Sequence, residues 1–147
     1  MIDIEQIYQS NIRYKDEVIE QAQEAKTYIT SFSWCKRIVS GSLAQGFGYI
    51  LCIFFFEIEA VKGSGADDKL WVIVGDLPSA YLDTIEYKTA HEALDFYCFL
   101  MEEWVEHIKA GKSLEGCYPV NVEPTLEHAN MLATRIQLIK SDFLPYV

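Results

Sequence analysis

The apolar positions of this chain follow two different periods, and the places where the period changes divide it into elements. From Asp3 to about Thr30 there is no Gly or Pro. Ile4, Ile7, Tyr8 and Ile12, then Val18, Ala22, Ala25 and Ile29, recur at the spacing of one helical face and predict an N-terminal helix. The stripe slips around Tyr14, which leaves a kink or two separate helices open. Asp16, Glu17, Glu20 and Glu24 occupy the polar side.

After Ser31 the helical period ends. Trp34 to Ser40 is compatible with a first strand, and Gly41, Gly46 and Gly48 punctuate the next ten residues or so. Tyr49 to Val61, rich in aromatic and β-branched residues, is the strongest strand candidate. Its first half is apolar on both faces, as in a central covered strand. Phe56-Glu57-Ile58-Glu59-Ala60 alternates, which predicts one face toward water. A turn-forming stretch from Lys62 to Asp68 leads into Leu70 to Val74, so the pair reads as an antiparallel hairpin. Gly75-Asp76-Leu77-Pro78 bends the chain, and Ser79 to Leu82 fits a further short strand.

Helical spacing then returns. Thr89-Ala90-His91-Glu92 has the form of a capping box, in which hydroxyl and carboxylate satisfy the free amides of a helix start. Leu94, Tyr97, Cys98, Met101, Trp104, Val105 and Ile108 form the stripe, and Gly111 stands where a C-terminal cap belongs. Asp95, Glu102, Glu103 and Glu106 decorate the opposite side. Beyond a linker, Pro124 suits the first turn of a last helix, with Leu126, Ala129, Leu132, Ala133, Ile136, Ile139 and Phe143 as its stripe. Segregated strands and helices predict an α+β fold: an antiparallel sheet of three to four strands packed with N-terminal and C-terminal helices, in a single domain over 1–147.

Composition adds a core and a sign of charge. Half of the 147 residues are hydrophobic and 14% aromatic, which excludes disorder. The most apolar run, Phe47 to Phe56, is about half the length needed to cross a bilayer. The opening Met-Ile-Asp-Ile-Glu has neither the basic segment nor the apolar run of a secretory leader. A soluble cytoplasmic protein is therefore expected. The net charge of −10 repels nucleic acid and anionic membranes and steers a basic partner inward, so neither nucleic acid nor membrane is expected as a partner.

Candidate chemistry is sparse. Cys35, Cys52, Cys98 and Cys117 lack the close-set pairs of zinc sites and read as free thiols. His91-Glu92 resembles the start of a zinc-protease motif, but Asp95 stands where the second His is needed. His107 and His128 read as helix-surface residues. No nucleophile elbow surrounds any serine. Gly63-Ser64-Gly65 is followed by two aspartates that would repel phosphate, so it reads as a hairpin turn. Trp34, Lys36 and Arg37 form one basic, aromatic spot, too small for a nucleic-acid footprint. No catalytic residue, metal ligand or cofactor is assigned.

Two polar features remain. Asp76 closes the apolar strand Trp71–Val74 and precedes Ser79 and Tyr81. It reads either as a turn-organising Asx residue or as a functional group at a strand end. The acidic face of Asp95, Glu102, Glu103 and Glu106 reads either as a solvated surface or as a docking face.

The segments Trp71-Val-Ile-Val-Gly-Asp-Leu-Pro-Ser-Ala-Tyr81 and Tyr118-Pro-Val-Asn-Val-Glu-Pro-Thr125, with the amphipathic helix bearing Trp104 between them, resemble stretches of small uncharacterised bacterial cytoplasmic proteins. In size and acidity the chain is similar to the immunity proteins encoded beside bacterial toxins. The acidic surplus, the compact single domain and the missing catalytic constellation, together with that similarity of type, lead to the expectation of a non-enzymatic, immunity- or antitoxin-like inhibitor of a basic toxin, with Asp76, Ser79, Tyr81, Asp95, Glu102, Glu103 and Glu106 as partner-binding residues. The alternative expectation is a small enzyme or ligand-binding domain with a pocket near Asp76, Ser79 and Tyr81. A homodimer is a third.

Overall fold

A computed structural model describes residues 1–147. The chain is α+β and groups into two compact units, Met1–Ala90 and His91–Val147.

The first unit is built on a five-stranded antiparallel meander in the order β1-β2-β3-β4-β5. The strands are β1 (Ile2–Asp3), β2 (Cys35–Phe47), β3 (Leu51–Ala60), β4 (Lys69–Gly75) and β5 (Ala80–Asp83). Five strands replace the expected three to four. The extra one is β1, which pairs through Ile2 with Leu43 and through Asp3 with Ser42. It is two residues long, too short to show a period of its own, and it runs straight into the stripe that begins at Ile4.

β2 also runs further than the sequence suggests, straight through Gly41 and Gly46. A Cβ on Gly41 would lie 2.6 Å from the Phe56 ring and 2.7 Å from Ile4 Cδ1. On Gly46 it would lie 2.9 Å from Val18 Cγ2. These glycines make room for neighbouring core side chains instead of ending the strand. Three register shifts bend β2 along its pairing with β3.

The N-terminal region is not one helix. Asp3 accepts a hydrogen bond at 2.8 Å from the Glu5 amide, and a 3-10 helix spans Ile4–Gln9. Tyr14 then takes a left-handed conformation (φ 57°) immediately before α1 (Lys15–Thr30). The slipped stripe marks this break. Ile4 and Ile7 still reach the core, but from a separate short element.

α1 lies on one face of the sheet. Val18, Ala22, Ala25 and Ile29 pack in one core with Cys52, Phe54, Phe56, Leu70, Val72 and Val74. Two alanines in the stripe let the helix axis approach the strands closely. Burying Val18 or Ile29 completely contributes about 1.5–3 kcal/mol each. The other face of β3, β4 and β5 carries Leu51, Ile53, Trp71, Ile73 and Leu82, also buried. Leu51 to Phe54 is thus buried on both faces, and alternation sets in toward Glu57 and Glu59, as the sequence predicts.

The second unit holds α2 (Ala90–Lys109), whose first residue closes the preceding unit, and α3 (Leu126–Leu138). Ala93, Leu94, Tyr97, Cys98, Met101, Trp104 and Val105 form the buried stripe of α2. Gly111 (φ 67°) closes the helix, and the Lys112 amide returns to the His107 carbonyl at 2.8 Å. At the start of α3, Thr125 is the N-cap and accepts from the His128 amide at 3.1 Å. Pro124 therefore precedes the cap instead of lying in the first turn. The predicted stripe runs past α3 into a wider-wound segment, Ile139–Phe143, where Ile139 is buried.

Candidate acidic-aromatic docking face

The candidate partner residues fall into both units, and each group is described on its own. In the second unit, the buried stripe of α2 turns the remaining positions outward. Glu102, Glu103 and Glu106 line one groove of about 760 Å³ together with Phe99, Lys109 and Lys112. Asp95 and Glu102 line a neighbouring groove of about 440 Å³ with Phe96, Phe99 and Lys140. The four predicted carboxylates thus border two grooves that share Phe99 and Glu102.

Phe99 is the residue the sequence reading missed. It is 56% exposed and stacks on Phe96, with ring centroids 5.6 Å apart and planes at 23°. Its signal was present: Phe96 and Phe99 stand outside the apolar stripe, on the side otherwise occupied by Asp95, Glu102 and Glu106. An apolar ring there cannot be accounted for by the stripe that packs the helix.

The face is not uniformly negative. Lys140 Nζ lies 3.0 Å from Glu102 Oε1, and this hydrogen bond, reinforced by the charge of Glu102, raises the Lys140 pKa. Both side chains are about two-fifths exposed, so the pair adds little stability. Glu103 and Glu106 form no ion pair. At the far end His107 Nδ1 is 2.7 Å from the Ser113 carbonyl oxygen, which ties the helix end to the following loop.

In the first unit, Asp76 sits in an exposed bend after β4, and its amide donates to the Ile50 carbonyl at 3.1 Å. Ser79 is half-buried in the segment before β5. Tyr81 stands opposite Val72, and its ring is 5.1 Å from those of Phe32 and Trp34 and 6.5 Å from Tyr28. The ring of Tyr81 thereby belongs to an aromatic cluster over the α1 side of the sheet.

The predicted basic spot is half neutralised, since its two cations share one carboxylate. Arg37 Nε and Lys36 Nζ lie 2.6 and 3.4 Å from the two carboxylate oxygens of Glu59. Hydrogen bonds from Arg37 and then Lys36 hold the Glu59 carboxyl below its ordinary value. The four cysteines are free, with Cys35, Cys52 and Cys98 buried. Burial pushes the Cys52 and Cys98 thiols up to about 12, away from the reactive thiolate form. No group of three or more His, Cys, Asp or Glu side chains is placed to hold a metal ion, and no helix is long and apolar enough to cross a membrane.

Comparison of the chain with protein-family models, curated protein sequences and solved structures finds no match.

Proposed function

We propose that this chain is a non-enzymatic cytoplasmic binding protein that docks a basic partner on the α2 face, as an immunity- or antitoxin-like inhibitor of a basic bacterial toxin. The observation that carries this reading is the exposed Phe99 ring, supported from below by Phe96 and bordered by Glu102, Glu103 and Glu106. Interface energy concentrates in aromatic anchors enclosed by a polar rim that excludes water. Carboxylates around such an anchor accelerate encounter with a cationic surface and disfavour acidic competitors. Residues 91–147 carry nine carboxylate side chains against four lysines and arginines, so the field around the anchor has the required sign.

The test is capture from the native host at low salt with three forms of the tagged chain: wild type, Phe99→Ser, and the charge reversal Glu103→Lys with Glu106→Lys. The expected result is a basic protein retained by the wild type, released as salt rises, and lost from both variants while their circular dichroism is unchanged. Retention of the same partner by both variants, or capture of acidic proteins only, overturns the proposal.

A further inference from the structure

A second exposed surface in the first unit combines aromatic rings with unpaired carboxylates, and no element of the sequence pattern announces it. The turn between β2 and β3 folds back over the beginning of α1. Gly48 lies against Tyr14, with its Cβ position 3.5 Å from Tyr14 Cγ. The next residue, Tyr49, donates its hydroxyl to Glu20 Oε2 at 2.5 Å. Tyr14, Tyr49 and Ile50 are 51%, 49% and 42% exposed, so three large side chains at this turn meet water.

Three carboxylates, Asp16, Glu17 and Glu20, stand near them against two cations, Arg13 and Lys15. Glu20 accepts the Tyr49 hydroxyl, Asp16 and Glu17 stand in the first turn of the same helix, and the charge of all three acts on that hydroxyl. Asp16 and Glu17 form no ion pair. Lys15 and Arg13 are the neighbouring cations in sequence, and Arg13 is already committed to a ring. Its Cζ lies 5.4 Å from the Tyr14 centroid, the distance of a cation–π contact. The surface therefore displays, within the chain itself, the guanidinium-on-tyrosine geometry that it can repeat with a second ring. An arginine fits this setting better than a lysine, because its planar group stacks on an aromatic face while its N–H groups fork toward carboxylates. Each carboxylate has more acceptor positions than one hydroxyl uses, so Glu20 remains available.

We infer that the surface formed by Tyr14, Asp16, Glu17, Glu20 and Tyr49 binds an arginine side chain of a basic protein partner, with its guanidinium on the exposed Tyr49 ring and its N–H groups toward the carboxylates. The inference rests on the reading of the chain as a binder of basic proteins and concerns a surface of the first unit alone.

Titration of the isotope-labelled full chain with octa-arginine and with octa-lysine, followed by amide NMR shifts at physiological salt, tests it. Saturable shifts concentrated in residues 13–20 and 48–50, stronger with octa-arginine, are expected. Tyr49→Ala is expected to weaken that binding about two- to five-fold. Asp16→Asn with Glu17→Gln, which leaves every ring in place, is expected to weaken it as well. Shifts confined to residues 95–106 overturn this inference and leave the α2 reading standing. Saturable shifts on neither surface overturn both. Equal response to the two peptides, or to wild type and both variants, overturns the arginine assignment.

Discussion

Gly75 passes so close to the backbone of Ile50 that a Cβ on it would lie 2.3 Å from the Ile50 carbonyl oxygen. That carbonyl also accepts the Asp76 amide at 3.1 Å. Gly75 has φ 146°, a region that side chains avoid, so the position excludes any other residue on two independent grounds. Gly75→Ala is expected to destabilise the protein by about 2–4 kcal/mol. Urea unfolding followed by tryptophan fluorescence measures it, and an unchanged midpoint would show that the strand end relaxes freely.

Tyr81 is bound into the Phe32–Trp34 cluster, where Phe32 and Trp34 stack with centroids 5.0 Å apart. Tyr81→Ala is expected to cost about 1–3 kcal/mol, less than a fully buried ring because the site is only half-buried. Tyr81→Phe keeps the ring contacts and is expected to retain most of that stability. Thermal unfolding of the two variants separates ring packing from any role of the hydroxyl.

The hydrogen bond to Glu20, followed by burial and the neighbouring carboxylates, pushes the Tyr49 phenol from 10.0 up to about 12. The folded state thus holds this proton more tightly than the unfolded chain. The associated stability is complete below pH 10 and is lost as pH rises from about 10 to about 12. Ultraviolet titration of the phenols should show that Tyr49→Phe removes a late-ionising group. Unfolding between those pH values should show a shallower loss of stability in the variant than in the wild type.

The thiols should separate by burial. Cys117 is half-buried in a loop, whereas Cys35, Cys52 and Cys98 are buried. A disulfide reagent at pH 8 is expected to modify Cys117 first in the native protein and all four thiols in guanidinium. Cys117→Ser should remove the early phase. An early phase that survives the substitution would mean that a buried thiol is reached through local opening.

Sequence legibility followed the reach of the forces. The buried stripe of α2, the Gly111 cap and the doubly apolar start of β3 are set by residues a few positions apart, and periodicity exposes them. β1 was hidden because a two-residue strand has no period of its own. The continuation of β2 through Gly41 and Gly46 was hidden because those glycines answer to Phe56, Ile4 and Val18, which are distant in sequence. Among the candidate residues, the acidic side of α2 was visible as a helical face. The importance of Phe99 was not, since a ring is marked as exposed only once the packed side of the helix is known.

The amino-acid sequence by itself determined the α+β composition, the order of the main elements, the acidic surplus and the helical faces that carry it, because these depend on local spacing and side-chain type. Tertiary structure alone decided the five-stranded pairing, the packing of Tyr81 among rings and the borders of the α2 grooves. It also brought the Tyr49 turn onto Glu20, across 29 positions of chain. Each of those depends on a contact between residues far apart in sequence, where folding sets the distance and no local pattern can.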